Sequence, residues 1–271
     1  MVKKELERTD VLANFDQFYL QAFRQLAEKH GFVYKLVNNI ITQGEERLGE
    51  LDGKQFVMAS NHRSHLDYMI HGKILMENLP IDQFPRIVAG KNLDIKALKL
   101  FNLDFSKMNV CWAYRGEKRD VQEDWIKYVQ ESLANGDNFL VFPEGGRNRK
   151  KDGVNRFKNG FLRQVLDASI GKKEIYVLPS AIDYQRVVEE PFYKAIDSGK
   201  NRCGILGKIQ YYGADGLAFL TQPLRKKGDM AISYGEPIEI SKTNKPGVLY
   251  KELHKRVSEL SRKNLELLAK L

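Results

Sequence analysis

From residue 53 onward, short apolar runs alternate with longer amphipathic stretches. No other feature constrains the fold as strongly. "KQFVMAS", "RIVAG", "NVCWAY", "NFLVF", "EIYVLPSAID", "CGILGKIQYYG" and "DMAISYGEPIEI" read as strands. Helical patterns lie between them: about Leu66 to Asn78, "DIKALKLF", "VQEDWIKYVQESLANG" and "RFKNGFLRQVLDASIG", with 247–269 at the C-terminal end. Strand segments that are apolar in succession are buried on both faces. Alternating with helices, they predict an α/β fold with a mostly parallel central sheet flanked by helices.

The first fifty residues read differently. Leu12, Phe15, Phe18, Phe23 and Leu26 fall at helical spacing, with Asp10 as cap and Gly31 as stop. Phe32, Leu36, Ile40 and Leu48 predict a second helix over about 32–49. The expected organisation is an N-terminal helical hairpin over 1–52, followed by an α/β domain over 53–271. The aromatic content of the hairpin makes it a membrane-associating element; the competing reading is that it packs on the main domain.

A formal net charge of +9 favours phosphate-bearing partners: anionic lipid, nucleic acid, phosphorylated metabolites or an acidic carrier protein. Nucleic acid is the poorer fit, because aromatics and basic residues do not interleave in a recognisable binding motif. No apolar window of about 18–20 residues is present, so no membrane-spanning helix is expected. Met1–Asp10 is charged and lacks an apolar centre, which argues against a signal peptide. Cys111 and Cys203 sit in apolar runs without metal-ligand spacing. They predict buried free thiols, a reducing compartment and no metal site.

Two polar loops follow two of the predicted strands. In "SNHRSHLDY", His62 and Asp67 lie five positions apart. Imidazole titrates near neutrality and suits a general base once a carboxylate fixes its tautomer. His65 is a rival base, less well spaced from Asp67. Ser64 lacks the glycine-flanked elbow of a serine nucleophile, and neither cysteine is in a polar loop. A His/Asp pair without a protein nucleophile points to activation of a hydroxyl, an amine or water. In "FPEGGRNR", Gly145 and Gly146 permit close backbone approach, and Arg147 and Arg149 offer forked donors for phosphate. Arg115 closes the predicted strand "NVCWAY", and Lys158 is expected at the start of a helix, where it would add to an anion site.

Taken in order, these segments resemble the glycerophospholipid acyltransferases, the glycerol-3-phosphate and 1-acylglycerol-3-phosphate acyltransferases. "NHRSHLD" is similar to that family's NHxSxxD block, matching Asn61, His62, Ser64 and Asp67. "NVCWAYR" resembles the second block, ending at Arg115. "FPEGGRNR" resembles the third, matching Glu144, Gly145 and Arg147. "RFKNG" and "VLPSAI" resemble the segments that follow. Asn109 stands where the second block usually carries glycine.

The resemblance implies a mechanism. His62, oriented by Asp67, is the catalytic base. Asn61, Ser64, Arg115, Glu144, Gly145, Gly146, Arg147 and Lys158 hold substrate, the cations taking the acceptor phosphate. The donor is acyl-CoA or acyl carrier protein, and no cofactor is needed beyond that co-substrate. The expected reaction is phospholipid biosynthesis: acyl transfer to 1-acyl-glycerol-3-phosphate, giving phosphatidic acid. Glycerol-3-phosphate itself or another lipid acceptor stays open, as does a non-catalytic basic membrane-binding module. An apolar tunnel or groove is implied for the acyl chain, and a peripheral location on the cytoplasmic face of the cell membrane.

Overall fold

A computed structural model describes residues 6–12, 16, 21, 25, 37–90, 107, 109–114, 118–148, 150, 153–169, 174–187, 190, 228–240 and 245–271. Its strands are β1 (Ile40–Gln43), β2 (Gln55–Ser60), β3 (Arg86–Gly90), β4 (Val110–Ala113), β5 (Phe139–Val141), β6 (Ile175–Tyr184), β7 (Met230–Tyr234) and β8 (Ile238–Glu239). Its α-helices are α1 (Arg8–Val11), α2 (Glu46–Gly49), α3 (Asp67–Asn78), α4 (Arg119–Ala134), α5 (Gly160–Ser169) and α6 (Pro246–Leu268). One eight-stranded sheet runs β1-β7-β6-β2-β5-β3-β4, with β8 also on β6. The pairings are parallel except those of β6 with β7 and with β8. The expected α/β class, mostly parallel and flanked by helices, is the observed one.

Alternation along β2 explains the two cores. Phe56 and Met58 face a cluster with Ile70, Ile74 and Leu75 of α3, while Val57 and Ala59 face the opposite cluster. That second cluster holds Val129 and Leu133 of α4, Val165 of α5, and Leu253 and Val257 of α6. All four β2 residues are fully buried, and burying each large apolar side chain contributes about 1.5–3 kcal/mol. In α6 the buried positions Leu249, Leu253, Val257, Ser261, Asn264 and Leu268 recur at helical spacing. Ser261 and Asn264 are thus polar residues placed in an apolar stripe.

The second N-terminal helix, expected over 32–49, is reduced in its described part to the single turn α2. Ile40–Gln43 is a strand paired in parallel with Met230–Ser233 of β7. Two β-branched isoleucines and a threonine fit a pleated surface better than a helix, and a partner distant in sequence decides the matter. Gly44 ends β1 at φ +71°, and a Cβ there would lie 2.2 Å from Tyr234 O, so only glycine fits. The main sheet therefore begins before residue 53.

Asp10 does not open a long helix from outside. It lies within α1, accepts Glu7 N–H at 3.0 Å, and is followed by extended Leu12, which bridges to Cys111 of β4. Hairpin residues 1–5, 13–15, 17–20, 22–24 and 26–36, "DIKALKLF", "CGILGKIQYYG" and Cys203 lie outside the described residues. Two further boundaries moved. Helix α5 starts at Gly160, so Arg156–Asn159 are not helical. "DMAISYGEPIEI" splits at Gly235–Pro237 into β7 and β8, because proline cannot donate to a ladder. Among the described residues no helix is long and apolar enough to cross a membrane.

Candidate active site

Strands β2 and β5 are parallel neighbours, registered Val57 to Phe139 through Ala59 to Val141. Their carboxyl ends therefore deliver the segments 61–66 and 142–148 to the same edge, where α/β sheets place their sites. Asn61 leaves β2 by extending its pairing with β6. Its Nδ2 donates to Ile182 O at 3.0 Å, and its Oδ1 accepts Ile182 N–H at 2.7 Å.

Asp67 opens α3 and organises the turn before it. Oδ2 accepts the backbone N–H of Arg63 at 2.6 Å and of Ser64 at 3.0 Å, and lies 2.7 Å from His62 Nδ1. Oδ1 accepts the Tyr184 hydroxyl at 2.8 Å. A carboxylate surrounded by donors at both oxygens fixes the Nδ1–H tautomer, leaving Nε2 as the basic nitrogen of His62. The five-residue separation read in the sequence is closed by this turn.

His62 is 13% exposed along its side chain and stacks on Phe142 with ring centroids 4.5 Å apart. Burial holds its pKa below the ordinary imidazole value; Asp67 opposes that shift. Its backbone is braced from the second loop. His62 N–H donates to Glu144 Oε1 at 3.0 Å, and Asn148 N–H donates to His62 O at 2.6 Å. Glu144 Oε2 accepts Asn155 N–H at 3.0 Å. Burial pushes the Glu144 carboxyl up to about 7.

The residues expected to hold substrate divide by position. Asn61 and Ser64 are fully buried. Asn61 serves the β2–β6 pairing, and Ser64 Oγ accepts Leu66 N–H at 3.1 Å. Both take part in the loop's own hydrogen bonds. Glu144 accepts a backbone N–H on each oxygen and braces one loop against the other. Gly145 takes φ +73°, and a Cβ there would come within 2.8 Å of the Lys158 side chain. Lys158 is exposed, sits ahead of α5, and folds over Gly145, with its N–H donating to Pro143 O at 2.7 Å. Gly146 is exposed, and Arg147 is half-buried and close enough to His62 to oppose its protonation. Arg115 and Arg149 lie outside the described residues.

Three contributors had no signal in sequence spacing: Tyr184 at the end of β6, Phe142 beneath the imidazole, and Asn148 on the His62 carbonyl. Asn109, standing where glycine was expected, adopts φ 54°, a conformation asparagine tolerates better than most residues. Its Nδ2 donates to Phe84 O at 2.8 Å. Buried Cys111 has its thiol pushed up to about 12 by burial, so it is no nucleophile at neutral pH. Among the described residues no three metal-ligating side chains gather.

Beside the second loop lies an apolar cavity of about 530 Å³ between β3–β5 and helices α4 and α5. Phe142, Pro143, Gly145 and Lys158 border it on the loop side, and Trp125 and Phe161 on the helix side.

The profile of the family described as Acyltransferase matches residues 39–183. The chain is 25% identical over 218 residues to the glycerol-3-phosphate acyltransferase of Shewanella loihica, and 24% identical over 218 residues to that of Haemophilus influenzae. Each alignment takes in 76% of this chain and 25% of the relative, so the chain spans about a quarter of the length of these relatives. The crystal structure of the 1-acyl-sn-glycerophosphate (LPA) acyltransferase from Thermotoga maritima superposes with a TM-score of 0.55 at 18% identity. It covers 90% of this chain and 78% of that one, and at this identity it speaks to the fold.

Proposed function

The chain belongs to the acyltransferase family, and from that premise we propose that it moves a fatty acyl group from a thioester to the hydroxyl of 1-acyl-glycerol-3-phosphate, forming phosphatidic acid. The observation that carries the reading is the 2.7 Å contact of His62 Nδ1 with Asp67 beside a glycine-and-arginine loop. In this mechanism His62 Nε2 takes the proton of the acceptor hydroxyl as its oxygen attacks the thioester carbonyl. The tetrahedral intermediate collapses by breaking the C–S bond, and the imidazolium returns its proton to the leaving thiolate. Asp67 stabilises the imidazolium between the two steps. Arg147, Lys158 and Arg115 hold the acceptor phosphate.

The apolar cavity beside Gly145 is the proposed seat of the acyl chain. The donor is acyl-CoA or acyl carrier protein, and the basic surface holds the protein on the cytoplasmic face of an anionic bilayer. A second reading, transfer to glycerol-3-phosphate itself, is favoured by the names of the curated relatives.

The test is thiol release from palmitoyl-CoA, and from palmitoyl-acyl carrier protein, with each acceptor in turn and with His62→Ala as control. Release that needs 1-acyl-glycerol-3-phosphate and His62 supports the first reading; release that needs glycerol-3-phosphate selects the second. A folded His62→Ala protein with near-native turnover would remove the assigned base.

A further inference from the structure

Both residues flanking His62 are tied to one buried carboxylate that the mechanism does not use. Asp183 of β6 is fully buried. Its Oδ1 accepts Arg63 Nε at 2.9 Å and Arg63 Nη2 at 2.8 Å. Asn61 Nδ2 reaches the same oxygen at 3.4 Å. From the other side α6 supplies Ser261 Oγ to Oδ1 at 3.0 Å and Asn264 Nδ2 to Oδ2 at 3.3 Å. Arg63 is 3% exposed; its guanidinium also donates to Lys150 O at 2.7 Å and to Ser261 Oγ at 3.3 Å. Its backbone N–H is the one that meets Asp67 Oδ2 at 2.6 Å.

We propose that Asp183 and Arg63 are positioning residues for the reaction: through them the C-terminal helix α6 holds the 61–63 peptide in register with Asp67. The chain alternates as it leaves β2. Side chains 61 and 63 turn to the Asp183 hub, and His62 turns away toward Asp67 and Phe142. Fixing both neighbours fixes the imidazole between them. A helix whose buried stripe is otherwise apolar places two polar residues here: Ser261 binds the carboxylate, and Asn264 divides its amide N–H groups among Asp183 Oδ2, Ala181 O at 3.1 Å and Ala231 O at 3.4 Å. That arrangement is costly to desolvate and contributes little stability beyond what an apolar cluster would give. What it supplies is geometry, and misplacement of a reacting group by about 1 Å can cost about a hundredfold in rate.

The test separates geometry from stability. Removing one partner leaves the other charge buried and unpaired, so the informative protein is the double variant Arg63→Met/Asp183→Asn, which has neither charge. Two quantities are read against wild type: the His62 Nδ1 proton by 15N-edited NMR, assigned by its loss in His62→Ala, and steady-state kcat and KM by thiol release. The expected result is a thermal midpoint close to wild type, loss of the Nδ1 proton signal, and kcat lower by about a hundredfold with KM within about twofold. A double variant that keeps both the signal and kcat overturns the proposal and leaves the pair a purely structural contact.

If the double variant does not fold, Ser261→Ala/Asn264→Ala decides. It leaves the Arg63–Asp183 ion pair and withdraws both α6 donors from the carboxylate, and it should weaken the signal and lower kcat by about tenfold; unchanged signal and kcat would refute the role of α6. The kinetic arm rests on the acyl-transfer reading and the NMR arm does not. A wild-type protein silent with every donor and acceptor sinks that reading while the NMR arm still judges the positioning.

Discussion

Replacing Asp67 by asparagine probes the charge of the candidate dyad with little change of shape. The amide oxygen can take the place of Oδ2 and keep the three N–H donors there, from His62, Arg63 and Ser64. The amide NH₂ then faces Tyr184, whose hydroxyl turns from donor to acceptor. What disappears is the negative charge beside the imidazolium. The 2.7 Å contact sets the two charge centres about 4 Å apart, and at an effective dielectric of about 20 their attraction is about 4 kcal/mol. If that attraction is available only once His62 has taken the proton, its loss lowers kcat by about a thousandfold.

The pH profile gives an independent check. Asp67 is what raises the His62 pKa against burial, so the variant's acid limb moves further below the usual imidazole range. The assay is thiol release at saturating acceptor across pH, with a thermal melt for folding. A folded Asp67→Asn protein that keeps more than about a tenth of wild-type kcat would refute the argument. A change confined to KM would instead make Asp67 a substrate contact.

Three further outcomes are expected. His71 is fully buried beside Ser60 Oγ at 3.0 Å, and burial lowers its pKa to about 4. The unfolded chain binds this proton near pH 6.5 and the folded one does not, so stability falls as pH drops through that window. His71→Gln should lose about 2 kcal/mol less than wild type between pH 7 and pH 5 in urea titrations, and equal losses would contradict it. Gly145→Ala places a Cβ at φ +73° against Lys158; it should cost about 1–2 kcal/mol of unfolding free energy and reduce turnover, and unchanged urea midpoint and kcat would count against both. Trp125 lines the apolar cavity, so Trp125→Ala should shift donor preference toward longer acyl chains in a chain-length series; an unchanged preference would take the acyl chain out of this cavity.

The class of fold was legible in the sequence, and so were the two polar segments that meet at the sheet's edge. Strands such as Phe56–Ala59 are apolar in succession because both faces are buried, and that pattern is local. The His62/Asp67 pair was legible for the same reason, since its partners lie within one turn of chain. Residues 40–43 fit helical spacing as well as strand, because so short an apolar run is ambiguous. Pairing with β7, 190 residues away for Ile40 and Met230, settled it, and no local window contains that information.

Only the tertiary structure assigned Tyr184 to Asp67, Asn148 to the His62 carbonyl, and Asp183 to both neighbours of His62. It also showed Asn61, Ser64 and Glu144 engaged in hydrogen bonds of the loops themselves. A motif shows which residue types recur together. It does not show which way each side chain turns as the chain leaves a strand, and that direction is set by the buried donors and acceptors that must be satisfied when β2, β5, β6 and α6 come together.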